Sequence, residues 1–129
     1  MIPPPGARRA QGDAAEERAC LHLERSGLTI VERNFRTRVG EIDIVARKGD
    51  VLVFVEVRSL ENTDYGTPEE SVTSAKRRRI AAAARRYLSK VPPSSWREAR
   101  FDVIAIEGNG DDAALRHYQA AFDAKGKIL

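Results

Sequence analysis

The chain has 129 residues, 42% of them hydrophobic and 32% charged, which is typical of one soluble domain. Cys20 is the only cysteine, so a disulfide framework is excluded, and no apolar run approaches the roughly 20 residues of a membrane span. The lone thiol and the lack of an apolar leader near Met1 predict a cytoplasmic protein. Residues 1–12 predict a disordered tail, followed by a single domain over 13–129.

The first predicted element is a helix. Asp13 and Glu16 have the spacing of a capping box, in which each side chain satisfies a free backbone N–H. The pattern predicts a helix from about Ala14 to Ser26, and Gly27 can end it in a left-handed conformation.

Three β-prone segments follow this helix. Leu28–Val31 is short, and Glu41–Ala46 alternates with period two. Residues 47–50 form a turn signal, and Val51–Arg58 is almost continuously apolar. Such a run predicts a central strand that is covered on both faces.

A second helix and another buried strand complete the pattern. Residues 62–66 predict a loop, and Thr67, followed by Pro68, predicts the N-cap of a helix that runs to about Ser89. Phe101–Ile106 predicts a buried strand, whereas 114–124 is compatible with either a strand or a helix. The order predicts an α/β (α+β) fold with a mixed central sheet flanked by helices.

Positive charge is concentrated in one segment. Residues 72–100 contain nine basic residues, seven of them arginine, and one acid, for a charge of +8; the rest of the chain carries −5. Arginine is well suited to bidentate phosphate contacts, so this segment predicts a nucleic-acid-binding surface. A solvated helix face is the alternative interpretation. Tyr87 and Trp96 are candidates for stacking on bases or for the core.

Glu56 is an acid within an apolar strand. Burial of an unpaired carboxylate costs several kcal/mol, so a cation, a metal or a proton must compensate it. A hairpin turn at either Lys48-Gly49 or Gly49-Asp50 puts Glu41 and Asp43 on the same face as Glu56, and the second turn places Asp43 directly opposite it. Two facing carboxylates predict a cation between them.

Glu16 lies at the centre of the apolar stripe formed by Ala19, Cys20 and Leu23. It is either the capping residue described above or a third acid aimed at the sheet. Three converging carboxylates without histidine or cysteine favour Mg²⁺ or Mn²⁺ over zinc. His22 and His117 are interpreted as incidental.

The spacing of Asp43 and Glu56-Val57-Arg58 resembles the PD-(D/E)xK motif of restriction-endonuclease-like nucleases. Further matches place the chain close to the YraN-type family, which is similar to Holliday-junction resolvases: Ala15-Glu16, Ala19, Leu23, Asn34-Phe35-Arg36, Gly40-Glu41-Ile42-Asp43, Phe54–Arg58, Tyr65-Gly66, Lys76 and Arg100–Val103. The resemblance implies a restriction-endonuclease-like αβββαβ core and a single nuclease-like domain.

The resemblance also implies site residues. Asp43, Glu56 and Glu16 would form the metal site and, with Arg58, the catalytic set, while Glu41 and Lys76 would support it. Arg58 stands where the motif usually has lysine and remains protonated, so it is expected to hold water or phosphate rather than act as a base. Six arginines are expected to contact nucleic acid: Arg36, Arg77, Arg78, Arg79, Arg85 and Arg86.

Two functions are consistent with these residues. The first is an Mg²⁺- or Mn²⁺-dependent endonuclease that hydrolyses DNA phosphodiesters, with branched or structured DNA as a candidate substrate. The second is a non-catalytic nucleic-acid-binding module that retains the fold, with Arg58 pairing with Glu56 or Asp43. A homodimer is a further expectation, with Leu52 and Phe54 as candidates for an open docking face.

Overall fold

A computed structural model describes the backbone of residues 5–60, 71–108 and 113–129, and the side chains of these ranges apart from 5–12 and 60. Its elements are α1 (Pro5–Arg25), β1 (Thr29–Arg36), β2 (Glu41–Lys48), β3 (Val51–Leu60), α2 (Ser74–Leu88), a 3₁₀ turn (Pro93–Ser95), β4 (Glu98–Glu107) and β5 (Ala114–Phe122). The predicted αβββαβ order is confirmed, and the undecided C-terminal segment is a strand.

The five strands form one mixed sheet in the order β1-β2-β3-β4-β5. β3 and β4 are parallel, and the other neighbouring pairs are antiparallel. A parallel pair needs a crossover connection, and α2 lies in that connection. The predicted central strand is therefore β3, whose residues Leu52 to Val55 are fully buried.

The helices cover opposite faces of the sheet. The α1-side cluster contains Ala19 and Leu23 of the helix with Val53 and Val55 of β3. The α2-side cluster contains Leu52, Phe54 and Tyr87, together with other residues of α2, β4 and β5. The open docking face expected at Leu52 and Phe54 is therefore wrong, because α2 covers both residues.

The hairpin between β2 and β3 has the second of the two predicted turns. Lys48 pairs with Val51 around Gly49-Asp50, and Gly49 has a positive φ of 61°. A left-handed residue is easily accommodated by glycine in such a turn. Continued past the last regular pair, Ile44 with Val55, this register places Asp43 opposite Glu56.

The alternation of β2 changes at Asp43. Ile44 belongs to the α1-side cluster, whereas Ile42 belongs to the α2-side cluster, although a regular strand would place both on one face. On the neighbouring strand, Asn34 has a φ of 55° between the pairs Arg33–Ile44 and Phe35–Ile42. The strict period-two prediction for this segment is therefore wrong, because the chain twists at Asp43.

The N-terminus of α1 differs from the prediction, and its C-terminus agrees with it. The helix begins at Pro5 rather than near Ala14, so Asp13 lies inside it and does not cap it. Proline is well tolerated at the first helical position, where its missing N–H has no partner to lose. At the other end, Gly27 adopts the predicted left-handed conformation, with a φ of 91°.

The helix predicted to run to about Ser89 ends at Leu88. The Thr73 hydroxyl accepts the Lys76 N–H at 3.2 Å and caps α2, which starts at Ser74. The loop predicted at 62–66 and the N-cap predicted at Thr67 lie outside the described residues. In the part of the chain that the structure describes, no helix has the length and hydropathy needed to span a bilayer.

The β1–β2 turn touches α2 through backbone. A Cβ on Gly40 would overlap the carbonyl oxygen of Arg79 and lie 2.8 Å from its carbonyl carbon. Glycine is required here because the two backbone segments approach each other closely. The turn that leads into β2 is therefore seated directly on the helix that carries the arginines.

Candidate active site

Two acids from adjacent strands meet at the twist in β2. Glu56 of β3 is 3% exposed, and Asp43 of β2 is half-buried beside it. Asp43 Oδ2 accepts the backbone N–H of Val57 at 2.8 Å. This bond holds the Asp43 carboxylate against the strand segment that carries Glu56, so the predicted convergence of these two acids is present.

The electrostatics of this pair are unfavourable without a further cation. Burial, followed by the nearby charge of Asp43, raises the pKa of Glu56 to about 8, although Lys76 opposes the shift. Lys76 Nζ of α2 lies 2.8 Å from Glu56 Oε1. The compensating side chain is thus Lys76, not Arg58, which forms no ion pair with any carboxylate among the described residues.

Glu16 approaches the same site from α1. It is 7% exposed, and burial and the charge of Asp43 raise its pKa, against the effect of Arg33. The Arg33 Nε–Glu16 Oε1 distance is 3.6 Å, and Oε1 is buried without a hydrogen bond. The charge of Asp43 therefore acts on both Glu16 and Glu56.

The three acids do not form a complete three-ligand site. Among the residues that the structure describes, no three His, Cys, Asp or Glu side chains are placed to hold one metal ion together. Asp43 and Glu56 fit a two-carboxylate site, because Mg²⁺ is usually bound by one or two carboxylates, waters and substrate phosphate oxygens. Burial is the largest cause of the raised pKa of Glu56, and the neighbouring charge of Asp43 adds to it.

Arg58 and Glu41 have different environments. Arg58 follows Glu56 by two positions on β3 and is half-buried, with its Nε buried and without a hydrogen bond. Because alternate residues of a strand share a face, Arg58 presents an unsatisfied donor on the face of Glu56. Glu41 is exposed and pairs with Arg36 at 3.4 Å, away from the buried acids.

Four arginines form an exposed row on α2, hereafter the arginine face: Arg78, Arg79, Arg85 and Arg86. The two adjacent pairs are seven residues apart, so they lie two turns apart on one side of the helix. None of the four pairs with a carboxylate among the described residues, which leaves their charges free to meet an external anion.

Arg77 has a different role. Its Nη1 donates to the Val72 carbonyl at 2.5 Å, and its Nε donates to the Gly126 carbonyl at 2.7 Å. Arg77 thus ties α2 to the C-terminal turn, and its expected contact with nucleic acid stays a prediction.

A third buried acid was not predicted. Asp102 of β4 is fully buried and accepts two hydrogen bonds from Arg100, both 2.9 Å, and one from the Ala120 N–H at 3.0 Å. It also contacts His117 Nε2 at 2.7 Å, and His117 Nδ1 lies 3.1 Å from His22 Nε2. Both histidines lie apart from the Asp43–Glu56 pair, and a sequence separation of 95 residues concealed their mutual contact.

The mixed sheet, its two covering helices and the paired acids define a domain with a restriction-endonuclease-like core. The profile of "Uncharacterised protein family UPF0102" matches residues 15–106, and the chain belongs to this family. The resemblance to the YraN-type family is thereby confirmed.

Curated relatives agree with this assignment. A UPF0102 protein of Dechloromonas aromatica is 52% identical over 99 residues, covering 77% of this chain and 80% of the relative. A UPF0102 protein of Myxococcus xanthus is 43% identical over 120 residues, covering 93% and 94%. A UPF0102 protein of Syntrophotalea carbinolica is 43% identical over 119 residues, covering 92% and 96%.

Proposed function

We propose that this protein is a metal-dependent endonuclease that hydrolyses phosphodiester bonds in DNA. The observation that carries the proposal is the buried Asp43–Glu56 pair, in which the pKa of Glu56 rises to about 8 despite an ion pair with Lys76. A structural ion pair has no need of a second carboxylate, so the arrangement favours a site that receives a cation.

Asp43 and Glu56 would hold Mg²⁺ or Mn²⁺, which supplies Lewis-acid polarisation of the phosphate and a nucleophilic water. Glu16, one carboxylate further from Glu56, would orient that water or accept its proton, because its Oε1 has no hydrogen-bond partner.

The cationic side chains of the site have complementary roles. Lys76 compensates charge at Glu56 and is 38% exposed, so its ammonium also faces the side from which substrate would enter. The unsatisfied Nε of Arg58 would donate to a phosphate oxygen and stabilise negative charge that develops there.

The arginine face would hold the nucleic acid by its backbone. Phosphate contacts position a duplex without reading its sequence. No aromatic side chain belongs to the exposed large hydrophobic residues of the described ranges, and Tyr87 is buried. Because phosphate contacts do not read bases, we expect recognition of DNA shape, including branched duplexes; Trp96 is half-buried and stays a candidate for stacking.

The test is cleavage of linear, flapped and four-way DNA with Mg²⁺ or Mn²⁺. Asp43→Asn should lower the rate by about 10³-fold, because Lewis-acid stabilisation is worth several kcal/mol. Asp50→Asn is the matched control, since Asp50 lies in the turn after the same strand, is exposed and pairs with Arg97; it should cut normally.

The Asp43→Asn variant should still bind DNA. If the four residues of the arginine face each contact a phosphate, the logarithm of the binding constant should fall against that of salt concentration with a slope of about −3.6. Cleavage that is equal in wild type and Asp43→Asn would contradict the assignment of the site.

A non-catalytic nucleic-acid-binding module is the second candidate. It is favoured by the Lys76–Glu56 ion pair, which already partly neutralises the buried acid, and by the incomplete three-carboxylate set. Salt-dependent binding without cleavage of any DNA or RNA in either metal would identify this function.

A further inference from the structure

A series of hydrogen bonds joins α1 to the sheet near the C-terminal end of the helix. It runs from His22 of α1 through His117 of β5 to Asp102 of β4, with N···N and N···O distances of 3.1 and 2.7 Å. Arg100 holds the far side of the Asp102 carboxylate. These side chains are separate from the Asp43–Glu56 pair.

The donors and acceptors in this series of hydrogen bonds have a fixed order. Burial raises the pKa of Asp102, but hydrogen bonds from His117, Arg100 and the Ala120 N–H outweigh it, and the net pKa is lowered. Asp102 is therefore a carboxylate that only accepts, so His117 donates through Nε2. When His117 is neutral its Nδ1 accepts, and His22 must donate through Nε2.

The two rings accommodate one additional proton but not two. A single imidazolium, on either ring, leaves one N–H and one lone pair between His22 Nε2 and His117 Nδ1. When both rings are protonated, two N–H groups face each other at 3.1 Å and the hydrogen bond is lost.

The surroundings oppose the second proton. Arg100 lies behind Asp102, and Arg18, one turn before His22 on α1, has a buried Nη1 without a hydrogen bond. Asp102 is the single acid in direct contact with the pair in the described structure. On β5, the same-face neighbours of His117 are Leu115 and Gln119, which carry no charge.

We propose that the His22–His117 contact is a proton-sensitive positioning device that seats α1 on the sheet in neutral solution and releases this part of the helix in acid. Glu16 is on the same helix, so the device also positions the third acid of the site; this last clause rests on the proposed nuclease function. The histidines act through α1 and touch no reacting group.

The sign of the effect follows from His22. Burial, and then the His117 ring, lower the pKa of His22 in the folded protein. Below about pH 6.5 the unfolded chain therefore binds more protons than the folded one, and the free energy of unfolding falls as the solution is acidified.

Histidine NMR titration tests the coupling directly. In the metal-free protein, His22 should appear as the Nε2–H tautomer at neutral pH, and its titration midpoint should move to higher pH in His117→Gln. If His117→Gln does not fold, the His22 midpoint in His117→Asn, compared with wild type, supplies the same test. Midpoints that are independent of the other ring would overturn the proposal.

Thermal unfolding supplies the functional readout. His22→Gln keeps an amide donor near the Nε2 position but cannot be protonated, and the Tm loss between pH 7 and pH 5 should be smaller than in wild type by about 3 °C or more. Parallel Tm curves would overturn the proposal. Neither measurement involves metal or nucleic acid, so failure here is distinct from failure of the nuclease proposal.

Discussion

Glu56 and Asp102 are both buried carboxylates, on parallel neighbouring strands, and their surroundings are opposite. Asp102 receives hydrogen bonds from a guanidinium, an imidazole and a backbone N–H, and its pKa is lowered. Glu56 has one ammonium and a second carboxylate beside it, and its pKa is raised to about 8.

The difference in partners distinguishes a buried acid that stabilises the fold from a buried acid that is a candidate for function. Asp102 has a full set of partners within the fold, so its charge stabilises the native state. Glu56 is left short of positive charge, and perturbed acids of this kind cluster at sites that bind or react. Burial alone would not have distinguished the two.

The comparison predicts its largest effect at Asp102. Asp102→Asn removes the charge that holds Arg100 and His117 and should lower the free energy of unfolding by about 3–5 kcal/mol, as for other broken buried ion pairs. Chemical denaturation at pH 7 measures this. A loss below about 1 kcal/mol would mean that the network is not a structural ion pair.

Glu56→Gln should have the opposite sign. Because its folded pKa is raised, Glu56 contributes stability that is complete below pH 4.5 and is lost as the pH rises through about 8. Without metal at pH 9, the variant should therefore be more stable than wild type, by an amount on the order of a few kcal/mol.

Divalent metal provides the second measurement on the same pair of proteins. Mg²⁺ or Mn²⁺ should raise the Tm of wild type at pH 9 and leave Glu56→Gln nearly unchanged, because a ligand stabilises only the form that binds it. Equal metal effects on both proteins would move the cation site away from Glu56.

The smallest effect is expected for Lys76→Met. Glu56 can take up a proton when Lys76 is lost, so at pH 6 the cost should be below about 1 kcal/mol, rising toward pH 9. Denaturation at both pH values measures the trend. A large loss of equal size at both would show that Glu56, like Asp102, is a permanently ionised structural acid.

Local patterns predicted the parts of the fold that depend on neighbouring residues. The apolar run of β3 identified the central strand, and the turn signal at 47–50 left two hairpin registers, of which the structure has the one that brings Asp43 opposite Glu56. Those contacts depend on short stretches of chain, where period and turn chemistry carry the information.

The missed features depend on tertiary contacts. The Lys76–Glu56 ion pair joins a helix to a strand 20 positions earlier, and the His22–His117 contact joins the first helix to the last strand. Neither has a local spacing signal.

Gly40 fixes the distance between the start of β2 and α2. The turn that leads into the strand of Asp43 is in backbone contact with Arg79, so main-chain atoms rather than adjustable side chains set the distance between Asp43 and the helix that carries the arginine face. Substitutions of surface residues would therefore change little in the distance between Asp43 and a phosphate held by the arginine face.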